Sequence, residues 1–245
     1  RVKFYFICGL PTETLQDMDE MAELFRRIRY RCRGIKAEKG LKHGLEITCT
    51  LSIFVPKPFT PFQWCPQMDL NKVTEHIKYL REQVKSIKGV KINYHEQYVS
   101  QLEAALTRGN SDLGRYVEAL YQKGCYLDAW WEYFNENTWK ETAKELNIDI
   151  AGLAQKEYSR EEVLPWDFVK TGVDKEWLIN EYNLAFSPEN LPDSHIVPTC
   201  EKKCVNCGVC KNLKTHKVIA KPFKATKEFK VQERPDQSDS RNHQQ

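Results

Sequence analysis

The sequence predicts an α/β fold whose first part is built from parallel βα units of the barrel type, and three observations carry that expectation. The first 95 residues read strand–helix–strand–helix–strand, the repeating order of a parallel sheet. Residues 45–55 alternate strictly, with Leu45, Ile47, Cys49, Leu51, Ile53 and Val55 on one side and Glu46, Thr48, Thr50, Ser52 and Phe54 on the other. The turn Gly9-Leu10-Pro11-Thr12-Glu13-Thr14 falls where a strand gives way to a helix, the side on which α/β folds carry ligands.

Each element has its own signal. Val2, Phe4, Phe6 and Cys8 mark a short buried strand ending at Gly9. After Pro11, acidic Glu13, Asp17, Asp19 and Glu20 suit the positive end of a helix, and Leu15, Met18, Met21, Phe25, Ile28 and Cys32 recur at spacings of three and four. Arg26, Arg27, Arg29, Arg31 and Arg33 complement the far end of that helix as a solvated face, with phosphate binding as the alternative. Gly34, Gly40 and Gly44 are expected to punctuate a basic loop. In the alternating strand that follows, helices would cover the apolar side, and the polar side would line a lumen able to hold a polar ligand. Leu70, Val73, Ile77, Leu80, Val84 and Ile87 mark a second amphipathic helix ended by Gly89, and Val90, Ile92 and Tyr94 a third strand. Two repeats are too few to close a barrel, so further repeats are expected upstream. The first residue is Arg1 and a strand starts at once, so the chain is expected to be a fragment.

From Gln97 to about Asn147 the pattern is helical and aromatic-rich, and Trp130, Trp131, Tyr133, Phe134 and Trp139 are expected to form the core of a helical appendage. A further helix is expected over Lys175–Ala185, then a proline-marked loop through Ser187, Pro188, Pro192 and Pro198. The predicted organisation is a barrel part over 1–95, a helical region over 96–199, a cysteine motif over 200–210 and a flexible basic tail over 211–245.

Charge excludes one class for the body of the protein. The net charge is +3, but residues 211–245 carry nine Lys/Arg against four Asp/Glu, leaving 28 basic and 30 acidic residues elsewhere. By net charge only the tail is basic, so the body taken as a whole is not expected to be a basic nucleic-acid module. No apolar run approaches the roughly 18–20 residues of a membrane span. No basic-then-apolar leader precedes a small-residue cleavage site. A cytoplasmic protein without membrane contact is expected. Nine cysteines, four of them within Cys200–Cys210, then indicate a metal site in a reducing compartment and not a disulfide framework.

Three segments carry chemistry. Backbone N–H groups of the Gly9–Thr14 turn can hold an anion or a carboxylate. The run Val55-Pro56-Lys57-Pro58-Phe59-Thr60-Pro61-Phe62-Gln63-Trp64 is stiffened by three prolines, and its aromatics would either stack on a flat base or form a rigid structural cap. Cys200-x3-Cys204-x2-Cys207-x2-Cys210 places four thiols on one soft metal centre, a zinc ion or a [4Fe–4S] cluster, with Gly208 permitting the tight turn. His43, His76, His95, His195 and His216 show no paired ligand spacing and read as surface or core histidines.

Taken together, FYFICGLPTET at 4–14, SIFVPKPFTPFQW at 52–64, LTRGN at 106–110, GCYLDAWWE at 124–132, LPWDFVKTGVDKEWLINEY at 164–182 and CEKKCVNCGVC at 200–210 resemble, in content and order, the radical S-adenosylmethionine (SAM) proteins that also contain a cobalamin-binding domain. The resemblance runs to about residue 210. It implies the C-terminal part of a partial (β/α)6 barrel, starting near the fifth strand, with the strand at 45–55 as the sixth. The cobalamin domain and the cysteine loop that binds the SAM cluster are not among these residues.

By the same resemblance, Gly9, Leu10, Ser52, Phe54 and Val55 would lie near SAM, whose [4Fe–4S] cluster is bound mainly upstream. The parent would release a 5′-deoxyadenosyl radical and act on an unidentified substrate, RNA among the candidates, by methyl transfer or rearrangement if cobalamin takes part. Flavodoxin or ferredoxin would supply electrons. Cys200, Cys204 and Cys207 share the spacing of the family's SAM-cluster loop. They come at the far end of the chain, however, with Asn206 before Cys207 and Cys210 following, so they read as an auxiliary iron–sulfur or zinc site. A competing reading is a zinc-containing RNA- or protein-binding module, supported by the cysteines and the basic tail.

Overall fold

The computed structural model describes residues 1–40, 42, 44–187, 200 and 204–216. Pro188, Pro192, Pro198, His43, His195 and the tail beyond 216 lie outside the described residues. The described chain runs β1 (Val2–Cys8), α1 (Leu15–Glu38), β2 (Ile47–Ile53), a short 3-10 helix (Pro61–Trp64), α2 (Leu70–Val84), β3 (Val90–Tyr94), α3 (Gln97–Arg108), α4 (Leu113–Gln122), α5 (Glu136–Glu145), α6 (Ile150–Gln155), α7 (Lys175–Phe186) and α8 (Val209–Asn212).

The three strands form one parallel sheet in the order β1-β2-β3. Val2 pairs with Ile47 and Ile47 with Val90, so the strands start level. The period-two pattern sorts their side chains by face. Phe4, Phe6 and Cys8 join Ile47, Cys49, Leu51 and Ile53 beneath α1 and α2, which add Met18, Met21, Ala22, Phe25, Val73, Ile77, Leu80 and Val84 to one apolar cluster. Both crossover helices therefore cover the same face. The other face carries Tyr5 and Ile7, 72% and 51% exposed, beside half-buried Thr48, Thr50 and Ser52. The fold is α/β with a parallel sheet, as the alternation predicted; among the described residues the sheet does not close into a barrel.

One boundary departs from the sequence reading. Gly34 was expected in a loop, yet α1 continues through it to Glu38. Position 34 is exposed and a Cβ there would touch nothing, so the helix bears only the glycine's intrinsic cost of about 1 kcal/mol. Asp17 helps fix the start of the helix, accepting a hydrogen bond from Thr14 N–H at 2.7 Å.

The helical region has two smaller cores. Leu102, Ala104, Ala105, Leu113, Tyr116, Leu120, Ala143, Ile150 and Ala154 pack α3 through α6 together. Trp64, Tyr158, Leu164, Trp166 and Leu178 form the other. The aromatic run divides, which corrects its expected role as a core. Phe134 and Trp139 pack on the first of these clusters, and Trp139 Nε1 donates to Asp128 at 2.6 Å. Trp130, Trp131 and Tyr133 are each more than 60% exposed, because the segment between α4 and α5 is a series of turns with no helical face to turn inward.

Arg108 at the end of α3 is fully buried. Its guanidinium donates to the carbonyls of Ala154 and Lys156, both at 2.7 Å, and stacks 4.9 Å from the Tyr158 ring, while Tyr158 OH donates back to Arg108 O at 2.9 Å. Among the described residues a carbonyl cradle, with no carboxylate, holds this cation and leaves its buried Nε without a partner. No helix among the described residues is long and apolar enough to cross a membrane.

Candidate functional site

The carboxyl end of the sheet collects the chemistry-bearing residues of the first 95. β1 ends at the fully buried Cys8, and Gly9 turns the chain with φ of +87°, a left-handed conformation that costs other residues strain. A Cβ at Gly9 would meet Val73 and Met68 at ordinary contact distances of 3.4 and 3.5 Å, so the backbone conformation and not space selects the glycine. The tight turn brings Glu13 back over the strand end. Its Oε1 accepts from Gly9 N–H at 2.9 Å and lies 3.4 Å from Cys8 Sγ and 2.8 Å from His76 Nδ1 on α2. The Glu13 and His76 side chains are only 4% and 10% exposed.

The anion that this turn holds is therefore the chain's own carboxylate. A carboxylate without a proton can only accept, and against it the contact takes the His76 tautomer with the proton on Nδ1. Burial, then the negative charge of Glu13, push the Cys8 thiol far above the ordinary range, and it stays protonated. Three donors converge on one oxygen, and the cluster acts as a clasp closing the βα turn onto α2. Cys8, Glu13 and His76 also offer sulfur, oxygen and nitrogen atoms within 4.8 Å of one another, a donor set that zinc accepts. Zinc binding there would require Cys8 to give up its proton against the same burial.

The residues expected near a cofactor divide by position. Leu10 accepts from Glu13 N–H at 3.0 Å within the turn. Ser52 pairs in register with Ile7 on the open face. Phe54 N–H donates to Cys8 O at 2.8 Å, extending the ladder one step, so Gly9, Leu10, Ser52 and Phe54 share one end of the sheet. Val55 instead turns into the α3–α6 core. The following loop is packed as a cap would be: Trp64 is 1% exposed, and Gln63 Oε1 accepts from Phe59 N–H and Trp166 Nε1, each at 2.9 Å, while Phe59 and Phe62 stay half-buried. Phe62 packs edge-on between Phe54 and Phe186.

The described part of the cysteine motif, Cys200 and 204–210, lies at the surface, and its second half is held by the segment leading into α7. Asn206 and Gly208 have φ of 55° and 89°, and the Asn206 N–H points at Cys204 Sγ from 3.4 Å. Backbone N–H donation to sulfur stabilises a thiolate, but among the described residues no three of these cysteines bring their sulfurs within 4.8 Å of one another, as Cys8, Glu13 and His76 do with their ligand atoms. Cys207 O accepts from Asp174 N–H at 2.9 Å, and Asn212 Nδ2 donates to Gly172 O and to Asp174 Oδ1 at 2.8 and 2.7 Å. Cys200, Cys204 and Cys210 are exposed and Cys207 half-buried.

Sequence reasoning missed His76. It sits one residue before Ile77 of the apolar stripe, and only the packing of α2 on β1 reveals its partner.

No family model and no solved structure matches the chain. An uncharacterized protein of Methanocaldococcus jannaschii is 26% identical over 118 residues, which is 48% of this chain. The match spans 23% of that relative's own length.

Proposed function

We propose that this chain is the late-barrel portion, with its appended helical and cysteine regions, of a radical SAM enzyme. The observation that supports the reading most is the winding of the sheet. Three consecutive parallel strands lie in chain order with both crossover helices on one face, whereas a doubly wound sheet distributes helices over both. The uncovered face, with Thr48, Thr50 and Ser52, is then a lumen wall, and further βα units complete the arc.

SAM and its [4Fe–4S] cluster, when bound, supply a 5′-deoxyadenosyl radical, and cobalamin in the whole protein would direct it toward methyl transfer or rearrangement. The residues described here position and exclude water. The Glu13 clasp fixes the curvature of the β1 turn, so that Leu10 and Phe54 form a set edge against the cofactor. Ser52 offers a hydroxyl on the lumen side. Cys200, Cys204, Cys207 and Cys210 hold an auxiliary iron–sulfur cluster, fed by flavodoxin or ferredoxin, or a zinc ion.

Anaerobic purification with iron, sulfide and zinc analysis tests this on the chain and on a Cys204→Ser, Cys207→Ser variant. Iron and sulfide with a broad visible absorption band, lost in the variant, supports the radical-enzyme reading. A colourless protein with one variant-sensitive zinc supports instead a zinc-containing RNA- or protein-binding module, which the Asn206–Cys204 contact also fits. The coding sequence upstream of Arg1 is the second check: a CxxxCxxC loop is expected there, and its absence removes the enzyme reading.

A further inference from the structure

We propose that a cationic cleft at the amino end of the sheet binds single-stranded nucleic acid, with phosphates on its arginine and lysine side chains and a base against Tyr30. This site is independent of the radical chemistry proposed above. It lies at the opposite end of the strands from Gly9, on the order of 20 Å away for seven-residue strands.

The cleft has a volume of about 780 Å³ and lies between the second half of α1 and the segments leading into β2 and β3. Arg26, Arg29, Arg33 and Lys36 line one wall at helical spacings of three, four and three, and Lys88 lines the other. Among the described residues no carboxylate lines it. Two of the cations have structural duties: Arg29 donates to Leu45 O, and Arg26 donates to Gln83 O at 3.1 Å and pairs with exposed Glu23. Arg33, Lys36 and Lys88 make no ion pair among the described residues.

Like charges three and four apart on a helix repel, and the negative end of the α1 dipole offsets only part of that. A concave wall of one sign focuses potential on whatever enters it. The cationic lining carries more charge than a single phosphate balances, and it is the wrong sign for the chain's own basic tail. Tyr30 also lines it and is 81% exposed, presenting an aromatic face among the cations. Backbone phosphates on a basic groove with bases stacked on aromatics is the chemistry of single-strand binding. No group lining the cleft distinguishes ribose from deoxyribose, so the shared chemistry is the phosphate chain and its bases.

The test is fluorescence anisotropy of the full chain with fluorescein-labelled oligouridylate and its deoxy counterpart across a potassium chloride series. Binding weakens with salt, and Arg33→Ala and Lys88→Ala each reduce the slope of log affinity against log salt by about 0.7, one phosphate's share on a single strand. Tyr30→Ala weakens binding about fivefold and leaves the slope unchanged, because stacking releases no counterion. All three side chains are exposed, so the variants keep the wild-type melting temperature. The strand that binds more tightly identifies the source. Absence of binding overturns the proposal. So does binding that all three substitutions leave untouched, or binding lost only when the tail lysines are neutralised.

Discussion

Glu13 and His76 are 63 residues apart in sequence and meet at 2.8 Å between Oε1 and Nδ1. The contact ties the first βα turn to the helix that follows the second strand. Glu13→Gln would exchange a charged acceptor for a neutral amide facing three donors. Hydrogen bonds to charged groups contribute about 1.5–3 kcal/mol each, so a loss of about 2 kcal/mol in urea denaturation is expected. A double-mutant cycle with His76→Ala should give a coupling above about 0.5 kcal/mol; additive effects would mean the two side chains do not act together.

Arg108 offers a second test of buried polar structure. Arg108→Met keeps the volume but leaves the carbonyls of Ala154 and Lys156 without their donor, each unsatisfied group costing about 1–3 kcal/mol. A drop of about 3 kcal/mol in denaturant stability is expected. A drop under about 1 kcal/mol would show that water replaces the guanidinium.

The buried cysteines set an alkaline limit. Burial pushes the Cys49 thiol up to about 12, while in the unfolded chain it titrates at its ordinary value. The folded state then keeps a proton that the unfolded state loses. The stabilising contribution is full below the unfolded value and is lost as pH rises toward 12, at about 1.4 kcal/mol per pH unit for this one group. Urea melts under reducing conditions should show stability falling above about pH 9. Cys49→Ala should flatten that fall by one group's share; an unchanged slope would contradict the burial argument.

The cysteine turn can be tested through its backbone. Gly208→Ala places a Cβ at φ of 89° and 2.4 Å from the Asp174 carboxyl carbon, so the turn must open. Metal content per chain, read by elemental analysis, should fall below half of wild type at equal protein recovery. Full occupancy would show that the turn geometry does not matter for binding.

Periodicity alone located the strands over Val2–Cys8, Ile47–Ile53 and Val90–Tyr94 and the helices between them, because a half-buried element must repeat its apolar residues at its own period. The four cysteines were legible as a motif from their spacing alone. The split of the aromatic run was not. Trp130 and Trp139 are the same residue type, and only the fold decides that one faces solvent while the other packs on Tyr116.

The sequence by itself determined which residues alternate, which turn carries the glycine and the carboxylate, and where four cysteines cluster along the chain. Tertiary structure alone decided that Glu13 answers Gly9, Cys8 and His76, that Arg108 is held by carbonyls, and that Arg26, Arg29, Arg33 and Lys36 share a cleft with Lys88. The physical reason is range. Periodicity and turn chemistry are fixed by neighbours within a few residues, whereas a buried polar group finds its partner among whatever the packing of distant elements brings within hydrogen-bonding reach.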